Sequence, residues 1–130
     1  GASAAQEQGF SLKRDAPTTA QLGDRVDVSL TLNTKRPLPF VEIIDAIPAN
    51  AQVDQESLEA LVKSSVIGGY EVTQGQVALL IPQLRGELKL TYALSASRVG
   101  VALHAGTQAQ ARYHKRFKGA RFVGSQLKVE

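Results

Sequence analysis

Residues 25–32 constrain the fold more than any other stretch of this chain, because apolar and polar side chains alternate in it without exception. The apolar positions are held by Val26, Val28, Leu30 and Leu32. A period of two is typical of a β-strand with one buried face. Residues 40–47 are denser in apolar side chains, as expected of a strand near the centre of a core. We predict that these two strands form the middle of an antiparallel β-sandwich, with the proline-containing residues 35–39 as a loop between them.

Shorter alternating segments continue the pattern along the chain. We predict a strand at residues 10–12, a hairpin of residues 70–73 and 76–81 that Pro82 ends, and strands at residues 87–96, 99–105, 109–113 and 124–129. Residues 54–63 are the one helical candidate, with Asp54 as the capping residue. The fold class is therefore all-β: an immunoglobulin-like antiparallel β-sandwich of about seven to nine strands with one short helix inserted.

The alternation also predicts which side chains are buried. The centre of the core is expected to contain Val28, Leu30, Ile43, Leu90 and Tyr92. The hydroxyl group of Tyr92 is expected to find a backbone acceptor. In residues 99–105 the apolar side chains are expected to face the core, which would leave His104 on the polar side: Val99, Val101, Leu103 and Ala105.

Length and composition indicate one domain. The 130 residues can bury a core without crosslinks, and we predict a disordered tail at residues 1–9 followed by a single domain at residues 10–130. Residues 2–4 have the small-x-small form of a signal-peptidase site, although a tag with a linker would look the same. The absence of cysteine excludes a disulfide framework and a thiolate metal site. No segment has the roughly 20 apolar residues of a membrane helix.

Candidate chemical groups are few and scattered. The chain has two histidines, His104 and His114, with no acidic residue near either in the sequence, so we predict no metal and no cofactor. The strand acids are expected to face solvent: Asp24, Asp27, Glu42 and Asp45. Asp45 precedes the turn at Pro48, where its carboxylate could accept backbone N–H groups. Since no nucleophile, base and orienting acid occur together, we predict that the chain is not an enzyme.

Positive charge is concentrated in the last third of the chain. Residues 88–130 hold eight Lys/Arg and one Glu, whereas residues 1–87 hold seven Lys/Arg and eleven acids. Residues 112–122 interleave cations with aromatic residues. A hairpin there could bind nucleic acid or an acidic glycan, or its charge could simply protect a sheet edge. The candidate anion-binding residues are Arg112, His114, Lys115, Arg116, Lys118 and Arg121.

Three segments resemble known bacterial modules. Residues 22–32 resemble the G-D-x-V-x-V-x-L-x-L opening of bacterial immunoglobulin-like repeat modules, and residues 41–49 resemble their V-x-V-x-D-x-L-P-A-G segment. Residues 77–92 are similar to the L-x-x-G-x-x-x-x-x-Y strand that follows. Two families share this pattern: the conserved-repeat module of cell-envelope proteins, and the macroglobulin-like domain near the C-terminus of bacterial alpha-2-macroglobulins. In the second family a tyrosine and a serine-bearing last strand follow, where Tyr113 and Ser125 lie here.

The resemblance implies a non-enzymatic structural or protein-interaction module of an exported or cell-envelope protein, in the periplasm or at the cell surface. Its partners would be other proteins or neighbouring domains of a larger protein. The macroglobulin version would belong to a protease-trapping protein. A polyanion-binding module that uses the basic hairpin is the alternative.

Overall fold

The computed structural model describes residues 10–112 and 119–130, so the predicted tail at residues 1–9 lies outside it. In the described residues the elements are β1 (Phe10–Asp15), β2 (Thr19–Ala20), β3 (Arg25–Ala46), β4 (Ala51–Val53), α1 (Gln55–Lys63), β5 (Gly69–Thr73), β6 (Gln76–Ala96), β7 (Gly100–Leu103), β8 (Thr107–Ala111), β9 (Ala120–Phe122) and β10 (Gln126–Val129). The all-β architecture with one short helix is confirmed.

Two long strands form the central ribbon of the molecule. β3 and β6 pair antiparallel from Arg25 opposite Ser95 to Ala46 opposite Gln76. One half of the ribbon is flanked by β1 and β4, and the other half by β5 and β8. β9 pairs with the outer side of β8. The seven-stranded sheet curls, so that the two halves of the ribbon share one core. A separate sheet of β2, β10 and β7 completes the sandwich.

The predicted loop at residues 35–39 is wrong, because β3 runs through these residues with only a register shift between Thr34 and Leu38. The side of β3 that faces away from β6 has no strand partner here, because the pairing with β1 ends at Thr34 and the pairing with β8 begins at Val41. This section therefore pairs with β6 alone. A proline is tolerated at such a free edge, since no partner needs its missing N–H group. The same reason corrects the predicted strand end at Pro82, because the outer edge of β6 pairs with no described strand between Leu80 and Leu94.

The predicted core is confirmed. Val28, Leu30, Ile43 and Tyr92 are fully buried, and Leu90 is nearly so. These side chains belong to one cluster that spans both halves of the ribbon. The predicted hairpin also forms, with β5 paired to the start of β6. Burial of this continuous apolar cluster is the main source of stability that an all-β domain of this size has.

The helix α1 starts at the predicted cap. The carboxylate of Asp54 accepts the backbone N–H of Glu56 at 3.1 Å. The N–H of Asp54 and the hydroxyl of Ser57 both bond to the backbone of Ala93 in β6, and Leu58 is fully buried. A helix this short needs such docking to persist. No helix in residues 10–112 and 119–130 has the length and apolar character that crossing a bilayer requires.

The predicted orientation of β7 is wrong. Val99, Val101 and Leu103 are 62%, 59% and 78% exposed, whereas His104 is buried. Side chains in a strand alternate between its two faces, so an inward His104 forces the apolar neighbours outward. The inversion is explained by what His104 binds in the core.

Candidate functional site: a buried carboxylate network

Asp45 holds an inward-facing position near the end of β3. It follows Val41 and Ile43 on the same face of the strand, and all three side chains are fully buried. An isolated carboxylate is very unfavourable in such an environment, and it stays ionised only when donors and an opposite charge surround it. The residues around Asp45 supply both.

Four side chains donate to the two carboxylate oxygens. Oδ1 accepts from Nε of Arg14 at 3.1 Å, from Nε2 of His104 at 2.9 Å and from the hydroxyl of Thr107 at 2.5 Å. Oδ2 accepts from the hydroxyl of Tyr92 and, at 3.3 Å, from Nε of Arg14. A carboxylate has about four lone-pair directions, so this one is saturated. We call these five residues the Asp45 network.

The donors come from different parts of the sandwich. Arg14 occupies the third inward position of β1, after Phe10 and Leu12. Tyr92 lies opposite Val28 in the first half of the ribbon, and Thr107 begins β8 beside Asp45 itself. His104 directly follows β7, and its N–H donates to the carbonyl of Ser125, the residue before β10. One carboxylate therefore joins both halves of the ribbon and the second sheet.

The network controls the ionisation of its own members. Burial alone raises the pKa of Asp45, but the hydrogen bond from His104, the charge of Arg14 and the hydroxyl donors outweigh it and hold the pKa below its ordinary value. Burial, together with the negative charge of Asp45, raises the pKa of Tyr92 well above its ordinary value. At neutral pH the arrangement is therefore an ionised carboxylate that accepts from a protonated tyrosine.

The histidine tautomer follows from the geometry. Nε2 of His104 faces the carboxylate and donates to it, whereas Nδ1 is buried without a hydrogen-bond partner in the described residues. Of the two neutral tautomers, the one with its proton on Nε2 is favoured, because only that proton has an acceptor.

This arrangement is suited to structure rather than to reaction chemistry. The carboxylate is fully buried and every oxygen is occupied. It has no lone pair left for a substrate proton. The described residues also contain no group of three or more His, Asp or Glu side chains placed to hold a metal ion.

The sequence as a whole matches a known family. The model of the bacterial alpha-2-macroglobulin MG10 domain family matches residues 2–115, which is most of the chain. The chain belongs to this family. Of the two resemblances seen in the sequence, the macroglobulin one is thus confirmed. No curated protein matches the chain.

Solved structures share the fold of this MG10 domain. The trypsin-activated alpha-2-macroglobulin of Escherichia coli matches with a TM-score of 0.77 and 15% identity, covering 93% of this chain and 10% of that chain. The native conformation of the E. coli protein matches with a TM-score of 0.76 and 14% identity, covering 93% and 9%. The Salmonella alpha-2-macroglobulin reacted with methylamine matches with a TM-score of 0.74 and 18% identity, covering 92% and 9%. The MG10 domain spans about a tenth of these chains.

Two expectations about the network residues are wrong. Asp45 does not face solvent or accept backbone N–H groups, and Tyr92 bonds to a carboxylate instead of a backbone carbonyl. His104 has no acidic residue near it in the sequence, but its ring contacts Asp45 in the folded chain. The pattern did contain a signal, because Asp45 continues the inward series of Val41 and Ile43 at a spacing of two. Of the other strand acids, Asp24 and Asp27 are exposed and Glu42 is half-buried.

The predicted anion-binding residues are only partly placed. Arg112 and Arg121 are exposed on the β8 and β9 side of the MG10 domain. Tyr113, His114, Lys115, Arg116 and Lys118 lie outside the described residues. Neither Arg112 nor Arg121 bonds to Asp45.

Proposed function

We propose that this MG10 domain is a non-enzymatic structural unit of an exported, protease-trapping alpha-2-macroglobulin, in which it keeps its shape while other parts of the protein rearrange. The Asp45 network carries this proposal. It fixes the two halves of the ribbon and the small sheet to each other through directional, charge-assisted hydrogen bonds. Relative movement of these layers would leave a charge buried without a partner, which is strongly unfavourable.

The relatives supply the setting for the proposal. They include a native and a trypsin-activated form of the E. coli protein, and this chain matches its fold to both with nearly the same TM-score, 0.76 and 0.77. The fold of this domain therefore has a counterpart in both forms of the E. coli protein. A polypeptide of this class would place the domain in the bacterial cell envelope or the periplasm.

Cell fractionation tests the proposal directly. An antibody raised against this chain should detect a polypeptide far larger than the 13.9 kDa of the chain, in the envelope or periplasmic fraction of the source bacterium. After incubation of the purified large protein with trypsin, trypsin should comigrate with it in gel filtration, while the MG10 region stays uncleaved. A 13.9 kDa product in the cytoplasm, or trypsin that elutes separately, would contradict the proposal.

Polyanion binding is the second candidate function. Arg112 and Arg121 are exposed and have no ion-pair partner in the described part of the chain, and they bracket the basic stretch of the sequence. Cations clustered in this way favour a phosphate- or sulfate-bearing ligand. The ligand would contact the outer surface near β8 and β9, away from the Asp45 network.

Salt-dependent binding to heparin and to single-stranded DNA tests this second function. We expect replacement by serine to abolish binding when it removes four of the cations, Arg112, Lys115, Arg116 and Lys118. The slope of log affinity against log salt should fall by roughly one unit per lost phosphate contact.

A matched control removes the same charge elsewhere, at Lys35, Arg36, Lys63 and Arg85, which are all exposed. The control variant should retain most of the affinity. Equal loss in both variants would show a response to net charge alone, and absence of wild-type binding at low salt would exclude the function.

A further inference from the structure

An exposed aliphatic stripe runs along the outer face of β7. It consists of Val99, Val101 and Leu103, which are 62%, 59% and 78% exposed. These are three of the six large apolar side chains exposed in the described residues, and Val123, in the loop before β10, is a fourth. Clustered exposed aliphatic side chains mark interaction surfaces more often than scattered ones do.

The outward direction of the stripe follows from the inward position of His104. His104 must point inward to donate to Asp45, and the strand alternation then sends Val101 and Leu103 outward. Gly124 lies directly against the backbone of His104, where an added Cβ would be 1.5 Å from its carbonyl oxygen. The backbone around His104 is therefore closely packed, and the outward direction of the stripe is set by the core.

β7 is also an edge strand with unpaired backbone groups. In the described residues β7 has one partner, β10, and β2 pairs with the other side of β10. The N–H of His104 donates to Ser125 of the β10 segment, and antiparallel partners alternate between facing each other and facing away. The N–H and C=O groups of Val101 and Leu103 therefore point to the free edge, as an added strand would require.

The charges near the stripe are positive. Arg98 precedes β7 and Arg121 lies beside Val123 at an open cleft of about 430 Å³. Neither makes an ion pair in the described residues, and Glu130, which follows β10, is paired with Lys128 at 3.2 Å. None of the described residues that line the cleft is acidic. These unpaired cations favour a partner that carries carboxylates.

The size of the stripe limits what can occupy it. Three exposed aliphatic side chains offer a patch of a few hundred Å² at most, whereas a stable complex between free proteins buries about 800 Å² on each partner. A segment tethered to the same polypeptide needs less contact, because the tether supplies an effective concentration in the millimolar range. The matched alpha-2-macroglobulins are long enough to supply one, since this chain covers 10% or less of them.

We infer that the edge of β7 is the docking site for an extended segment of a neighbouring domain of the same polypeptide, with aliphatic side chains toward the stripe and carboxylates toward Arg98 and Arg121. The segment adds to the small sheet as a fourth strand. This inference rests on the proposed function, because it places the chain within a longer polypeptide.

A synthetic strand tests the site on the chain itself. The probe is a capped hexapeptide of alternating glutamate and valine, added at millimolar concentration to the ¹⁵N-labelled chain. The amide signals of Val101 and Leu103 should shift and their hydrogen exchange should slow. The amides of Ala102 and His104, which already face β10, should change little. Unchanged exchange at Val101 and Leu103 would overturn the inference.

Controls separate the parts of the inference. Threonine at both Val101 and Leu103 should weaken peptide binding roughly tenfold or more, whereas threonine at Leu22, exposed elsewhere, should not. A peptide with lysine in place of glutamate should bind less well, and equal binding would refute the acidic partner. Sedimentation could also reveal a dimer of the wild-type chain that the double threonine variant does not form. That result would refute the docked segment and identify a second copy of the chain as the occupant. Failure here would leave the fractionation result untouched, so the inference and the proposed function can fail separately.

Discussion

Replacement of Asp45 by alanine should lower the free energy of unfolding by about 3–5 kcal/mol, the typical result of breaking a buried ion pair by removing one partner. Arg14 would remain in the core as an unpaired cation, and the donors of His104, Thr107 and Tyr92 would lose their acceptor. This loss of stability exceeds the contribution of a single hydrogen bond, because each donor left without an acceptor adds its own desolvation penalty.

Urea denaturation at pH 7, followed by circular dichroism, measures the effect. Asp27 is the matched control, since it is an aspartate on the same strand but exposed and paired with the exposed Arg25. Replacement of Asp27 by alanine should change the free energy of unfolding by less than about 1 kcal/mol. A similarly small change for Asp45 would show that the network contributes little to stability.

At acidic pH the wild type and the Asp45→Asn variant should have the same free energy of unfolding. The pKa of Asp45 is lower in the folded state than its ordinary value, so its ionised form stabilises the fold above the unfolded-state pKa of about 3.9. That contribution is lost as the pH falls through the folded-state pKa. The free energies of unfolding of the two proteins should therefore converge below about pH 4.

A double variant distinguishes charge from packing. Arg14→Met combined with Asp45→Leu removes both charges and fills the space with apolar atoms, a change that is often neutral or stabilising at buried ion pairs. The double variant should be more stable than Asp45→Ala alone. The changes in the free energy of unfolding caused by Arg14→Met alone and Asp45→Leu alone should not add up to the change in the double variant, because the two residues are in contact.

Strand periodicity predicted most of the fold because this core is built from side chains at a spacing of two. Leu30, Ile43 and Leu90 were placed correctly by that rule alone. The strand breaks predicted at residues 35–39 and at Pro82 were wrong, because proline interrupts a strand only where its missing N–H group would have had an acceptor. Whether that group has a partner depends on where β1, β8, β4 and β5 end, which no local pattern contains.

The network could not be predicted for a different reason. Apolar alternation at Val99, Val101 and Leu103 indicated an inward face, and it was overridden by a single polar contact between residues 59 positions apart. Asp45 needs donors in the core, and His104 supplies one only if β7 turns its apolar face to solvent. A pattern rule ranks residues by their own polarity, so it cannot represent a polar group that is buried because of its partner.

Replacement of Leu30 by alanine should lower the free energy of unfolding by about 2–5 kcal/mol, as large-to-small changes in a packed core do. Leu30 is fully buried in β3 and lies between Arg14 of β1 and Leu90 of β6 in the sheet. The lost contacts lie in the first half of the ribbon, where a cavity cannot close without moving the paired strands. Urea denaturation measures the loss, and Leu22, which is 55% exposed, is the control. Its replacement by alanine should have an effect of less than about 0.5 kcal/mol, as surface substitutions usually do. A loss well under 1 kcal/mol for Leu30 would mean that the two halves of the ribbon do not close over a common core.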